Sequence, residues 1–234
     1  MKALLFFDLD HTLWDFETNS RLALTQGFEV FDLHEKGIHR VEDWIEAYEE
    51  ANDRCWAEYR EGRMTKEILR GRRFLMASES LGAPMSQELA ERLGQHYIRT
   101  SPHQTGLIDG THALLTELQE RGHNMWLLTN GFEEVQHVKV ERCGLSTYFQ
   151  GVLTSDSLGV KKPHREAFLK ALEATGEENP GQIYMVGDSW ESDIEGSQNV
   201  GWRGIHFNPH GAVEPRAWKT VRRLEEVLAL PLDP

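Results

Sequence analysis

The sequence has little of several features that mark other classes of protein. Its 234 residues include only two cysteines, Cys55 and Cys143, which are too few for a disulfide framework or a zinc site. The apolar run near the start, Ala3–Phe7, has five residues, whereas a membrane helix needs about 20. Met1–Ala3 leads into acidic residues and not into a long apolar stretch, so we expect no secretory leader. These features predict a cytoplasmic protein without a membrane partner.

Positive charge is also scarce, with 25 Lys and Arg against 38 Asp and Glu and a net charge of −13. A nucleic-acid-binding protein needs a basic face to neutralise phosphates, so the acid excess argues against a nucleic-acid partner. Small phosphorylated substrates remain compatible, because a metal ion and a few well-placed cations can bind them. The hydrophobic content of 39% supports a packed core, and the length fits one large domain or a core with one insertion.

Short apolar runs that end in polar residues recur along the chain and are separated by helical patterns. The runs lie at Leu4–Phe7, Met125–Leu128, Gly151–Thr154, Ile183–Val186 and Gly204–Phe207. Strands that alternate with helices predict βαβ units and a parallel sheet, here an α/β core of three-layer, Rossmann-like architecture. Polar residues just past the carboxyl ends of such strands form the ligand crevice. We expect the chain to close with a helix over Thr220–Leu230.

The stretch 16–103 interrupts this alternation, because it contains helix patterns but no convincing strand. Four aromatic residues in it recur at helical spacing and are predicted to bury one helix face: Trp44, Tyr48, Trp56 and Tyr59. A block of this length is too long for a crossover connection. We therefore predict an inserted all-α cap over residues 16–103 and a Rossmann-like core formed by residues 1–15 and 104–234.

Two aspartates separated by one residue follow the first apolar run. Because side chains alternate along a strand, Asp8 and Asp10 should point to the same side, toward the crevice. Two carboxylates this close repel each other unless a cation or a proton separates them. One of them can then act as an ionised nucleophile and metal ligand, and the other as a general acid/base. Taken alone, the pair is equally compatible with a solvated strand end.

Later polar residues favour the catalytic interpretation of these aspartates. Thr129 and Asn130 offer hydroxyl and amide donors for phosphoryl oxygens, and Lys162 offers a fixed positive charge before a helix. Asp188 follows the fourth run, and Asp193 lies five residues further on. Together with the first aspartate they form an all-oxygen set that suits Mg²⁺.

Four segments of the chain, in order, resemble the four motifs of the haloacid dehalogenase superfamily. They are Asp8–Thr12 (DLDHT), Leu127–Gly131 (LLTNG), Lys162–Pro163 and Val186–Asp193 (VGDSWESD). The ordered set spans most of the chain and is far more specific than any one motif. The resemblance implies a phosphomonoesterase that forms an aspartyl-phosphate intermediate.

The resemblance implies a catalytic role for five residues. Asp8 would be the nucleophile, and Asp10 would be the general acid/base. Thr129 and Asn130 would hold the phosphoryl group of a small phosphorylated substrate. Lys162 would neutralise charge on the nucleophile and on the phosphate.

The resemblance also implies Mg²⁺ as the cofactor. Its ligands would be Asp8, the main-chain carbonyl of Asp10 and Asp188, with Asp193 close by and binding through water. Superfamily members that cleave carbon–halogen bonds or phosphonates lack the second aspartate. The presence of Asp10 therefore favours a phosphate ester as substrate.

A closer resemblance is to the bacterial pyrimidine 5′-nucleotidase subgroup. It is carried by Asp10–Glu17 (DHTLWDFE) and, within the cap, by Trp56–Thr65 (WAEYREGRMT) and Arg73 with Phe74. This similarity implies a nucleoside monophosphate as substrate, with Arg73 as a substrate contact.

Other functions share part of this pattern. Sugar-phosphate phosphatases and phosphosugar mutases carry all four motifs, and they remain the main alternative. A non-catalytic phospho-acceptor or binding domain is a more distant alternative, because such a domain needs neither an inserted cap nor an acid at the position of Asp10.

Overall fold

The computed structural model of the chain describes residues 2–177 and 182–232. The chain divides into two compact units, one formed by Met1–Phe16 with Thr105–Pro234 and the other by Glu17–Gln104. The first unit contains the sheet, and the second is helical. Each unit has its own apolar core.

Six parallel strands form the sheet of the first unit, in the order β3-β2-β1-β4-β5-β6. They are β1 (Leu4–Phe7), β2 (Asn124–Thr129), β3 (Val152–Thr154), β4 (Ile183–Gly187), β5 (Arg203–Phe207) and β6 (Lys219–Val221). The side chains of β1 alternate between two apolar clusters, with Leu5 and Phe7 in one and Leu4 and Phe6 in the other. Because both faces of the sheet are covered, the strand is apolar throughout. The predicted α/β architecture with a parallel sheet is confirmed.

The helical unit is built from four helices. They are α1 (Phe16–Val30), α2 (Val41–Arg60), α3 (Lys66–Ser80) and α4 (Gln87–Thr100), with 3₁₀ turns at His34–Lys36 and Ser101–His103. Three of the four aromatic residues of the α2 pattern, Trp44, Tyr48 and Tyr59, are buried, and Trp56 is half-buried. Apolar side chains on one face of a helix pack in this way against neighbouring helices. No helix among residues 2–177 and 182–232 is both long enough and apolar enough to span a membrane.

The remaining helices connect the strands of the sheet. They are α5 (Thr111–Glu120), α6 (Glu133–Arg142), α7 (Ser155–Leu158), α8 (Arg165–Thr175) and α9 (Gly196–Gln198), with a π-helical turn at Trp190–Glu195. Parallel strands need such crossovers, which cover the faces of the sheet and leave its carboxyl edge to the loops.

The predicted closing helix over Thr220–Leu230 is wrong. Strand β6 occupies the start of this segment and pairs with β5, and only a 3₁₀ turn at Leu224–Ala229 follows. Val221, Leu224 and Val227 are buried at a spacing of three, which fits a 3₁₀ turn as well as an α-helix. The β-branched pair at the start of the segment favours an edge strand.

The two chain segments that flank the helical unit pair with each other. The Asp15 N–H donates to the Gly106 carbonyl at 3.1 Å, and Trp14 forms an antiparallel bridge with Leu107. Trp14 is fully buried in the core of the first unit. The chain therefore leaves this unit and returns to it at one place.

Candidate active site

The carboxyl ends of three neighbouring strands bring the candidate residues together. β1 lies between β2 and β4 in the sheet. Asp8 follows β1, Thr129 ends β2 and Asp188 follows β4. The Asp8 N–H donates to the Val186 carbonyl at 2.9 Å, which extends the ladder by one residue. Side chains from three distant parts of the sequence thus lie at one edge of the sheet.

Lys162 lies in the middle of this group, with its side chain only 2% exposed. Its Nζ donates to Asp8 Oδ1 at 2.7 Å, to Asp193 Oδ1 at 2.5 Å and to the Leu128 carbonyl at 2.6 Å. An ammonium group has three donors, and all three have acceptors here. Burial alone would lower the Lys162 pKa, but Asp193 and Asp8 hold the pKa above its ordinary value. The lysine therefore remains charged in the site.

Asn130 binds the main chain of Lys162. Its Oδ1 accepts from the Lys162 N–H at 2.8 Å, and its Nδ2 donates to the Lys162 carbonyl at 2.9 Å. The Ser155 hydroxyl in turn donates to the Asn130 carbonyl at 3.1 Å. The sequence pattern suggested only amide donors for a phosphoryl group. The structure gives this side chain an additional task, because it anchors the residue that carries the positive charge.

Thr129 has a hydroxyl that accepts two hydrogen bonds. The donors are the Gly131 N–H at 3.2 Å and the Gln136 Nε2 at 2.7 Å. The hydroxyl proton has no acceptor among the described residues, although Thr129 is only 2% exposed. Two accepted bonds orient the hydroxyl so that its proton can serve an external oxygen.

Three carboxylates, those of Asp8, Asp188 and Asp193, place one oxygen each within 4.8 Å of one another. Asp188 Oδ1 also accepts from the Thr12 hydroxyl at 3.2 Å. Lys162 is the ammonium bonded to two of these carboxylates, so three negative groups face one positive group.

This buried excess of negative charge shifts the titration of the carboxylates. Burial, only partly opposed by Lys162, raises the pKa of Asp8 to about 7. Burial and the neighbouring Asp8 raise the pKa of Asp188 to about 6. Carboxylates that repel one another are stabilised by a cation between them. The donor set therefore fits a divalent cation that prefers oxygen ligands, such as Mg²⁺.

Asp193 enters the group from the π-helical turn Trp190–Glu195, a local geometry that is frequent at functional sites. Both of its oxygens have partners, since Oδ1 binds Lys162 and Oδ2 accepts from the Ser189 N–H at 3.1 Å. A methyl group at Gly187 would overlap the Asp193 carboxylate. Glycine at this position is therefore what allows the carboxylate to lie against the end of β4.

Asp10 lies in a turn after β1 and not, as the sequence predicted, on the strand. β1 ends at Phe7, so Asp10 lies beyond the strand, and the prediction that strand alternation orients its side chain is wrong. The chain instead turns back on itself, with the Trp14 N–H bonded to the Leu9 carbonyl at 2.8 Å and His11 at a left-handed φ of 64°.

Two residues that the sequence patterns did not single out hold the Asp10 carboxylate. Lys139 Nζ lies 2.5 Å from Oδ1, and Gln136 Nε2 lies 2.9 Å from Oδ2. Both residues are on α6, which begins at Glu133 just after the LLTNG segment. Their spacing of three puts them on one helix face, but this spacing is common on helix surfaces and gives no specific signal in the sequence.

Arg73 lies in the helical unit, on α3, and is 3% exposed. Its Nη1 donates to Asn52 Oδ1 at 3.0 Å, and its guanidinium stacks over the rings of Tyr97, at 4.8 Å from the ring centroid, and of Tyr48, at 5.4 Å. Its Nε has no acceptor among the described residues. The structure thus places this arginine in an aromatic and amide environment within its own unit.

Known proteins resemble this chain over nearly its whole length. The family model for haloacid dehalogenase-like hydrolases matches residues 2–201. The chain is 30% identical to the pyrimidine 5′-nucleotidase YjjG of Escherichia coli, over 95% of both chains. It is 30% identical to the pyrimidine 5′-nucleotidase PynA of Streptococcus pneumoniae, over 88% of this chain and 84% of that one.

A solved structure shares the fold of this chain. It is that of the putative hydrolase YfnB of Bacillus subtilis bound to magnesium, with a TM-score of 0.84, 28% identity and 97% coverage of both chains. The family expected from the four sequence motifs is thereby confirmed.

Proposed function

The chain belongs to the haloacid dehalogenase-like hydrolase family, and from that premise we propose that it is a Mg²⁺-dependent phosphomonoesterase that acts on nucleoside monophosphates. The observation that carries the proposal is the pairing of two carboxylates with two separate lysines. Asp8 binds Lys162, and Asp10 binds Lys139. Two carboxylates in different environments can take different roles in one reaction.

The reaction that fits this arrangement has two steps. The Asp8 carboxylate attacks phosphorus, the bond to the ester oxygen breaks, and Asp10 gives its proton to the leaving alcohol. In the second step Asp10 takes a proton from water, the water oxygen attacks phosphorus, and the acyl-phosphate bond breaks to release phosphate and free Asp8. Lys162 and the Thr129 hydroxyl offset the charge that develops on the phosphoryl oxygens.

Asp8, Asp188 and the main-chain carbonyl of Asp10 would hold Mg²⁺. When bound, it would offset negative charge on the nucleophile and on the phosphoryl group. Asp193, whose two oxygens accept from Lys162 and from the Ser189 N–H, would bind the metal through water. The hydrogen bond between Lys162 and Asp193 also keeps the lysine in place.

A nucleoside monophosphate is the substrate class that the sequence relatives support, since two of them are named as pyrimidine 5′-nucleotidases. Arg73 is our candidate for a contact with the nucleoside. Sugar phosphates are the alternative, because the residues at the sheet edge bind only the phosphoryl group and do not select the alcohol. The cytoplasmic location expected from the low cysteine content stays a prediction.

Release of inorganic phosphate from a panel of esters tests the proposal. The panel contains pyrimidine and purine nucleoside monophosphates, deoxy forms, hexose phosphates and an aryl phosphate, each with Mg²⁺ and with a chelator. We expect kcat/KM to be highest for the pyrimidine monophosphates and activity to be lost on chelation. If hexose phosphates lead by about tenfold or more, which is about the smallest preference that one pocket contact provides, the sugar-phosphatase alternative is correct.

A further inference from the structure

We propose that Lys139 and Gln136 are positioning residues that fix the Asp10 carboxylate for proton transfer. The inference rests on the proposed phosphatase function and concerns the part of the reaction that depends on the leaving group. Neither residue belongs to the four sequence motifs, and both lie on the buried face of α6.

Lys139 is held between a carboxylate and an aromatic ring. Its side chain is 4% exposed, its Nζ lies 2.5 Å from Asp10 Oδ1, and the Trp14 ring centroid is 4.0 Å from the same nitrogen. A buried ammonium is costly unless it is paired, and an aromatic face adds a second attraction. Trp14 is fully buried in the core, so the ring cannot follow a moving lysine. The ammonium therefore has one position, and it fixes Oδ1.

Gln136 fixes the second oxygen of Asp10. The residue is fully buried, and its Nε2 donates both to Asp10 Oδ2 at 2.9 Å and to Thr129 Oγ1 at 2.7 Å. An amide nitrogen has two hydrogens, so each hydrogen has one acceptor. A methyl group at Gly131 would overlap the Gln136 side chain. The amide thus links the proposed acid/base to the proposed phosphoryl-binding hydroxyl, and Gly131 leaves the space for it.

Two donors from one helix define the plane of the Asp10 carboxylate. Proton transfer requires heavy atoms within about 2.6–3.2 Å of each other, and a displacement of about 1 Å can cost roughly 10²-fold in rate. Without Lys139, Oδ1 has no donor among the described residues, and the carboxylate can rotate. The substitution should slow the step in which Asp10 gives its proton to the leaving alcohol. This step limits the rate most when the alcohol is a poor leaving group.

The test compares two esters in matched lysine variants. The esters are uridine 5′-monophosphate, which has an alkyl leaving group, and p-nitrophenyl phosphate, which has a good leaving group. Lys139→Met should lower kcat by about 10²-fold for the alkyl ester and by less than about tenfold for the aryl ester, with KM little changed. Lys139→Arg keeps a charged donor and should lose less activity on the alkyl ester than Lys139→Met. The control is Lys170→Met, since Lys170 binds only Glu166 and the Leu158 carbonyl among the described residues, and it should match the wild type.

A double-mutant cycle with Asp10→Asn separates positioning from a general structural effect. If Lys139 acts through Asp10, Lys139→Met should add no further selective loss on the alkyl ester in the Asp10→Asn background. Equal losses on both esters, or additive losses in the cycle, would overturn the proposal. Should Lys139→Met fail to fold, Lys139→Gln is measured in its place and judged by the same two results. A wild-type protein that releases phosphate from neither ester would instead refute the proposed function.

Discussion

Replacing Gly187 by alanine is the sharpest test of how the carboxylates are held. The added methyl group would overlap the Asp193 carboxylate, and it would be attached to the rigid end of β4. Asp193 would have to move away from both of its partners, Lys162 and the Ser189 N–H. Gly187→Ala therefore displaces a carboxylate without changing a charged residue.

The hydrogen bonds that Asp193 would lose set the expected loss of stability and activity. Hydrogen bonds to charged groups contribute about 1.5–3 kcal/mol each, so losing one and stretching the other should cost roughly 2–4 kcal/mol of unfolding free energy. For a chain of this length, 1 kcal/mol corresponds to about 2–4 °C, so Tm should fall by roughly 5–15 °C. Lys162 would lose one of its three acceptors, and a shift of about 1 Å in its position should lower kcat by about 10²-fold.

Thermal unfolding and Mg²⁺-dependent phosphate release measure the two effects. Gly27→Ala is the matched control, because a methyl group there makes only ordinary contacts with His96 and Leu93 and alanine favours a helix by up to about 1 kcal/mol. The control should be as stable as the wild type or more stable. If Gly187→Ala unfolds within about 2 °C of the wild type and keeps its activity within about twofold, Asp193 is not held as described.

Three substitutions and one pH profile test the rest of the site. Asp8→Asn should abolish turnover and leave the protein folded, because an amide cannot form the acyl phosphate; Mg²⁺-dependent activity in this variant would exclude Asp8 as the nucleophile. Asp10→Asn should slow alkyl esters by about 10²–10⁴-fold and aryl esters much less, and equal losses would show that Asp10 is not an acid. The folded-state pKa values of Asp8 and Asp188, about 7 and 6, lie above the ordinary value of 3.8. Tm of the metal-free protein should therefore fall as pH rises from about 5 to 8, and Mg²⁺ should reverse much of that fall. A Tm of the metal-free protein that does not change with pH would contradict the buried charge excess. Arg73→Ala should lower Tm and raise KM for nucleotides more than for an aryl phosphate, whereas equal KM changes would limit Arg73 to a packing role.

The parallel sheet and its polar edge could be predicted because both depend on local patterns. Buried strands require apolar runs, and the residues that follow those runs must lie at the carboxyl edge. This reasoning anticipated that Asp8, Thr129 and Asp188 would lie near one another. It failed for Thr220–Leu230, where a spacing of three fits two kinds of helix and says nothing about pairing with β5.

The hydrogen bonds that position Lys162 and Asp10 could not be predicted in the same way. The Asn130 side chain bonds to the main chain of Lys162, 32 residues later, and no local pattern specifies where that segment lies. The contacts of Lys139 and Gln136 with Asp10 depend on the turn that contains His11 in a left-handed conformation and on which face of α6 is buried. Contacts of this kind arise from tertiary packing, and their residues look like ordinary surface residues of a helix in the sequence.

The paired segments that flank the helical unit make that unit an exchangeable module. The Asp15–Gly106 hydrogen bond and the Trp14–Leu107 bridge close the first unit before the insert begins and after it ends. Insertions succeed where the ends to be joined lie close together. A short turn could therefore replace Glu17–Gln104 without opening the apolar core, and a different insert could be grafted onto the same two ends. Such an exchange could occur in evolution while the sheet edge and its carboxylates stayed the same.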